Sequence, residues 1–331
     1  MKQDRRTFLK ATALAGAAAA GTINAAAPVL AQKAAVGSQT MARGFVFATL
    51  RRQNGYGLGV RTDRGVLDVV AAEQALKEGA PTSITDVFEG KGDIEGLRRL
   101  TQKAKDSHFV AIDKAAFGPC VTHPEKIIGV GLNYRKHAAE TGNKLPEEPR
   151  LFTKFNTTLN SHGGVIAVSK EDATHFDYEA ELVIVIGKTA RNVSEADAPH
   201  VIFGYCTGND FSARELQARS ILLGKSLDGA APVGPWLVTS DLADGDNLKI
   251  ECRVNGETRQ SSNTSDMVFN CKQLVSYASR YFTLKPGDII FTGTPEGVII
   301  GKPKDKQVWL KPGDTIVTSI EKLGDLEFKL T

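Results

Sequence analysis

Apolar residues along this chain come in short runs separated by longer polar connections, and the runs have the period of strands more often than of helices. Phe45-Val46-Phe47-Ala48-Thr49-Leu50, the run 56–60 and the run 65–70 are joined by tight turns, the first at Asn54-Gly55, the pattern of hairpins. Segments 71–78 and 93–107 read as helices, the second with Ile94, Leu97, Leu100 and Ala104 on one face. Beyond His123-Pro124-Glu125, apolar runs predict strands at 126–132, 164–168, 178–186, 201–209, 236–238, 248–254, 288–292 and 315–320. Helices are expected only at 135–141, 212–222 and 272–282. Leu-Lys-Pro-Gly-Asp occurs at 284–288 and again at 310–314, each time before an apolar strand, which is type II turn chemistry rather than a duplication. The pattern predicts a β-rich α+β protein, with a small α+β unit at 44–120 and a larger strand-dominated unit at 121–331.

The first residues have another texture. Asp4-Arg5-Arg6-Thr7-Phe8-Leu9-Lys10 is a twin-arginine pattern, an Ala-rich stretch runs from Ala11 to Ala27, and Val29-Leu30-Ala31 precedes Gln32 as a small-x-small cleavage site. Residues 1–31 are therefore expected to be a signal peptide read by the twin-arginine (Tat) translocase, 32–43 a tether, and the mature protein periplasmic. No later segment offers the ~18 uninterrupted apolar residues of a membrane span, so no membrane association is expected after leader removal. The net charge of +3 comes from the leader, which leaves the mature chain near neutrality and gives nucleic acid no basic surface to bind. Cys120, Cys206, Cys252 and Cys271 form no Cys-x-x-Cys pair, which argues against zinc. A chain folded in a reducing cytoplasm before export is expected to keep them as thiols.

The chemistry concentrates in a few places. In Phe176-Asp177-Tyr178-Glu179-Ala180-Glu181, followed by Leu182-Val183-Ile184-Val185-Ile186, two carboxylates stand at alternate positions at the head of a buried strand. Side by side and buried, they need a neutraliser. Asp210 ends the apolar run 201–209; it reads either as a helix N-cap or as the third hard oxygen ligand of Mg²⁺, Mn²⁺ or Ca²⁺. Arg214 and Gln217, three apart on the helix that follows, face a pocket or solvent together. Lys225, in the Gly- and Pro-rich stretch 224–235, is a solubilising lysine or a cation that balances the carboxylates and an enolate. His137 and Glu140 sit at i and i+3, the spacing of a surface pair or of a carboxylate-oriented general base. The polar segment 141–150, with Gly142, Pro146 and Pro149, reads as a lid. Thr294, in a glycine turn after strand 288–292, is either a hairpin end or a hydroxyl and N–H for a substrate carboxylate.

Together these residues resemble the fumarylacetoacetate hydrolase superfamily over roughly residues 45–331. The resemblance rests on Gly131-Leu132-Asn133-Tyr134 with His137 and Glu140, Asp177-Tyr178-Glu179-Ala180-Glu181-Leu182, Gly208-Asn209-Asp210-Phe211-Ser212-Ala213-Arg214-Glu215-Leu216-Gln217, Gly224-Lys225-Ser226-Leu227-Asp228, Asn263-Thr264-Ser265-Asp266-Met267 and Thr292-Gly293-Thr294-Pro295-Glu296-Gly297-Val298. It implies a mixed β-roll fold, usually dimeric, with Glu179, Glu181 and Asp210 holding Mg²⁺ or Mn²⁺. It also implies that Lys225 contacts substrate and that His137 with Glu140 activates water. Asn133 departs from the founding hydrolases, which carry an acidic ligand there, and the chain looks more like the acylpyruvase and hydroxymuconate-isomerase branch. The implied activity is C–C hydrolysis of a 2,4-dioxo acid. The alternatives are 2-hydroxyhepta-2,4-diene-1,7-dioate isomerisation, oxaloacetate decarboxylation or tautomerisation, ureidoglycolate lysis, and a non-catalytic periplasmic binder.

Overall fold

The computed structural model describes residues 35–171 and 173–331. The twin-arginine leader lies outside the described residues. A ten-stranded sheet runs Phe109–Val110, Gly65–Asp68, Gly55–Thr62, Val46–Arg52, Trp236–Thr239, Ile202–Asn209, Ala180–Ile186, Ile289–Phe291, Ile127–Gly131, Arg150–Lys154. Its pairs are antiparallel except Ile289–Phe291 against Ile127–Gly131. The strands at 46–68 thus continue the sheet of the larger unit through the pairing of Val46–Arg52 with Trp236–Thr239. A second sheet runs Glu257–Asn263, Lys249–Val254, Thr315–Ile320, Gly324–Leu330, Gly164–Ile166.

The central strand shows why its sequence is apolar on both faces. Leu182, Ile184 and Ile186 lie in one core with Ile250, Ile316, Ile320 and Phe328 of the second sheet. Val183 and Val185 lie in another, with Phe47 and with Leu97 and Leu100 of the helix Ile94–Lys103. A strand covered on both sides carries no alternation, and each such side chain contributes roughly 1.5–3 kcal/mol by leaving water.

Helices are few, as expected, but two differ from the expectation. The stretch 212–222 is not one helix: Ser212–Ala213 is a short strand pairing with Phe176–Asp177, and Arg214–Arg219 and Ile221–Lys225 are separate helices broken at Ser220. The helix Ile84–Glu89 was not legible as an apolar stripe, being less than two turns long. Ser83 caps it and Gly90, at φ 68°, ends it. Among the described residues no helix is long and apolar enough to cross a membrane. All four cysteines are buried and free.

Candidate functional site

The site is assembled by the pairing of the two central strands. Ala180 stands opposite Asn209 and Glu181 opposite Gly208, and one residue further the Asp210 N–H donates to the Glu179 carbonyl at 2.9 Å. The end of one strand therefore meets the head of the other. Glu179 precedes the strand Ala180–Ile186 by one residue instead of lying within it, yet carboxylate oxygens of Glu179, Glu181 and Asp210 all fall within 4.8 Å of one another. All three residues are buried.

Three buried cations surround them. Lys225, the last residue of the helix Ile221–Lys225, reaches Glu179 Oε2 at 2.5 Å and Asp210 Oδ2 at 2.9 Å. Arg214 Nη1 lies 2.7 Å from Glu179 Oε1, and its Nε and Nη2 donate to Asp177 Oδ2 at 2.9 and 2.7 Å. Lys154, at the end of an edge strand, pairs with Asp210 Oδ1. Asp177 in turn accepts from the Ile299 and Ile300 amides at 2.9 and 3.1 Å, which ties the site to the loop beyond Thr294.

Electrostatics separate the carboxylates. Burial pushes the Glu179 carboxyl up, but Lys225 and Arg214 outweigh it and hold it at about 2. Burial, then the Asp210 and Glu179 carboxylates, push Glu181 well above the usual range. No cation pairs with Glu181 among the described residues, and its one hydrogen bond is from the Gly293 N–H to Oε2 at 2.7 Å. An unneutralised buried carboxyl beside two others, all hard oxygen donors, is the chemistry that Mg²⁺, Mn²⁺ or Ca²⁺ satisfies. The residues present fit such an ion. Binding it must displace the proton that burial and its neighbours favour on Glu181. Mn²⁺ binding is therefore expected to be accompanied by proton release, with affinity weakening as pH falls. Calorimetry in buffers of differing ionisation enthalpy measures this, and proton-neutral binding would contradict it.

The second device is the His137–Glu140 pair. His137 Nδ1 and Glu140 Oε1 are 2.8 Å apart within the helix Arg135–Glu140, and His137 is only 7% exposed. This is not a solvated surface pair. Glu140 Oε2 accepts from the Gly297 amide at 2.9 Å, so both carboxylate oxygens are committed and the imidazole is held from behind. With Nδ1 facing a carboxylate, Nε2 is the nitrogen left to exchange protons.

His137, Glu140, Glu179, Asp210, Arg214, Gln217, Lys225 and Thr294 line one cavity of about 980 Å³. Its other walls include Leu132, Leu151, Phe152, Ile221 and Ile300, with Arg150, Lys302 and Lys304 also along it. Gln217 accepts from Arg214 Nη1 at 2.9 Å. The Thr294 hydroxyl donates to the Ala180 carbonyl at 2.9 Å and accepts from Gln260 at 2.9 Å. Asn133 is a buried structural hub. Its amide donates to the Phe269 and Thr292 carbonyls and its oxygen accepts from the Phe269 N–H.

Sequence reasoning did not find Lys154, Asp177 or the Gly293 and Gly297 amides. Lys154 carried one weak signal, its place at the end of Arg150-Leu151-Phe152-Thr153-Lys154, a short stretch with β-favouring Phe and Thr.

A buried tricarboxylate cluster with the donor set for a divalent ion thus stands beside a His–Glu pair whose imidazole is buried, and Glu179 and Asp210 share one cavity with that pair. The family model of the fumarylacetoacetate (FAA) hydrolase C-terminal region matches residues 126–331, and the chain belongs to this family. It is similar to oxaloacetate tautomerase YisK of Bacillus subtilis, 39% identical over 279 residues that make up 80% of this chain and 92% of that protein. The structure of 2-hydroxyhepta-2,4-diene-1,7-dioate isomerase from Mycobacterium marinum superposes with a TM-score of 0.66 at 27% identity, covering 87% of this chain and 98% of that one. Fumarylpyruvate hydrolase from Pseudomonas aeruginosa, in complex with Mn²⁺ and pyruvate, gives a TM-score of 0.57 at 31% identity, covering 63% of this chain and 90% of that one.

Proposed function

We propose that the protein is a divalent-metal-dependent enzyme that enolises a 2-oxo acid, with keto–enol tautomerisation of an oxaloacetate-like acid as the leading reaction. The observation that carries this reading is the His137–Glu140 pair, its imidazole buried and 2.8 Å between Nδ1 and Oε1, lining the same cavity as Glu179 and Asp210. The relative named as an oxaloacetate tautomerase spans most of the chain. Hydrolysis of a 2,4-dioxo acid, the reading implied by the sequence resemblance, is the second, supported by the fumarylpyruvate hydrolase likeness.

Glu179, Glu181 and Asp210 would hold Mg²⁺ or Mn²⁺, and such an ion supplies Lewis acidity to a substrate carboxylate and 2-oxo oxygen. The chain's own residues do the rest. In the enolising direction His137 Nε2 takes a proton from C3 and the C2 oxygen takes one from solvent; in the reverse direction the oxygen's proton leaves to solvent and the imidazolium protonates C3, while Glu140 steadies the imidazolium. In the hydrolytic reading the same nitrogen takes the proton of the attacking water. Lys225 spends two of its three N–H donors on Glu179 and Asp210, and the third, which meets no acceptor among the described residues, would serve the enolate oxygen. Four buried carboxyl groups (Asp177, Glu179, Glu181 and Asp210) face Lys154, Arg214 and Lys225. With Glu181 protonated the cluster is neutral. A divalent ion that displaces this proton leaves one positive charge, which favours an anionic substrate and its enolate.

Arg150, Lys302 and Lys304 line the cavity and have no carboxylate partner among the described residues. They suit a second carboxylate on the substrate. The double variant Lys302→Ala/Lys304→Ala is expected to raise KM for oxaloacetate roughly three- to tenfold, the scale of solvent-screened ion pairs, and to leave KM for acetylpyruvate unchanged. Equal effects on both acids would remove these lysines from specificity.

The reading is tested with metal-stripped protein given Mn²⁺ and either enol-oxaloacetate or acetylpyruvate, following enol absorbance and released pyruvate. Faster loss of the oxaloacetate enol without pyruvate supports the tautomerase. Stoichiometric pyruvate from acetylpyruvate supports the hydrolase. No metal-dependent change with either acid contradicts both.

A further inference from the structure

We propose that Asp266 is a positioning residue for His137, acting as a remote N-cap on the short helix that carries the His137–Glu140 pair. The inference rests on the catalytic role given to that pair above.

Arg135–Glu140 is a six-residue helix whose N-cap residue, Tyr134, makes no side-chain capping bond. A helix this short has no stability of its own, and its first-turn amides need acceptors. The acceptor comes from 130 residues away: the Lys136 N–H donates to Asp266 Oδ2 at 3.1 Å. A carboxylate there also suits the positive end of the helix. Around it the two segments are stitched together. Arg135 Nη1 donates to the Asp266 carbonyl at 2.9 Å and also to the Met267 carbonyl. Tyr134 and Met267 form an isolated antiparallel bridge, and the Val268 N–H donates to the Asn133 carbonyl at 2.7 Å.

Asp266 is itself held in place. It ends the short 3₁₀ turn Thr264–Asp266, and Thr264 exchanges hydrogen bonds with Leu248, the residue before the strand Lys249–Val254, N–H to carbonyl at 2.9 Å and Leu248 N–H to Thr264 Oγ1 at 2.8 Å. The other end of the helix is fixed by the Gly297 N–H bond to Glu140. The pair therefore hangs between two clamps built on different elements. Of the two, only the Asp266 clamp touches neither His137 nor Glu140 directly. The Asn263-Thr264-Ser265-Asp266-Met267 segment, far from the metal cluster in sequence, gains a function from this placement: it sets where His137 Nε2 points.

The test uses Asp266→Ala and Asp266→Asn in the full mature chain, with Mn²⁺ affinity as the check on fold. For Asp266→Ala the expectation is a kcat about tenfold lower, unchanged KM and Mn²⁺ affinity, and faster deuterium exchange of the 135–140 amides. Asp266→Asn keeps an acceptor oxygen and is expected to restore most of the rate and the protection. Wild-type kcat and wild-type exchange in Asp266→Ala would overturn the proposal. So would an Asp266→Asn variant as impaired as Asp266→Ala. The exchange measurement needs no turnover, so it reports on the clamp even where the wild-type protein shows no activity on the acids tried, a result that would instead count against the proposed reaction.

Discussion

Turnover of a 2-oxo acid by His137→Ala protein is expected to fall about a hundred- to ten-thousandfold, the usual worth of a positioned general base, while Mn²⁺ affinity stays at the wild-type value. The separation follows from the geometry. His137 belongs to a helix clamped by the Gly297 and Asp266 contacts, whereas the carboxylate cluster is built by the register of two buried strands. Removing the imidazole leaves that register alone. The measurement is kcat against the spontaneous rate, with calorimetry of Mn²⁺ binding on the same sample. Full turnover in the variant would remove His137 from the reaction.

The second large effect is that of Glu181→Gln. The amide keeps an oxygen for the Gly293 N–H but brings no charge, so metal affinity is expected to fall by more than about a hundredfold, beyond what outer partners of metal ligands cost. Activity should fall to that of metal-stripped protein. Stability should move the other way. In the folded metal-free protein, burial and the neighbouring carboxylates favour on Glu181 the proton that the unfolded chain, with a carboxyl near 4.5, releases as pH rises. Its stability therefore declines with pH above about 4.5 for this group. Glu181→Gln removes that decline. Thermal melts of metal-free protein from pH 5 to 8 are expected to converge with the variant's at the acid end and to fall below them toward pH 8. A wild-type melting temperature that rises relative to the variant over this range would contradict the raised carboxyl.

The part of the site that was legible in sequence is the part written by strand period and local spacing. Glu179, Glu181 and Asp210 flank apolar runs whose burial is forced, and antiparallel pairing of neighbouring runs brings strand ends together. His137 and Glu140 meet because residues three apart on a helix meet. The rest depended on contacts between distant segments. Lys154 fell between the expected lid and the next expected strand, and only the pairing of the edge strand Arg150–Lys154 brings it to Asp210. Asp177 looked like another acid beside two glutamates, yet it serves Arg214 and two loop amides instead of a metal. The unbroken helix expected at 212–222 is absent because Ser212–Ala213 pairs as a strand and the extended backbone of Ser220 separates two short helices, the second ending on Lys225. Asn133 was noticed as a departure from the founding hydrolases, and its full set of hydrogen bonds to Phe269 and Thr292 explains what it does instead of binding metal.

The most direct test of the account is the turnover of enol-oxaloacetate by metal-stripped protein as Mn²⁺ is titrated in. Turnover is expected near the spontaneous rate at zero Mn²⁺, rising to saturation at about one ion per chain, with Glu181→Gln flat over the same range. Equal turnover with and without Mn²⁺, or a Glu181→Gln variant that saturates like the wild type, would contradict the assignment of Glu179, Glu181 and Asp210 as the metal centre on which the chemistry depends.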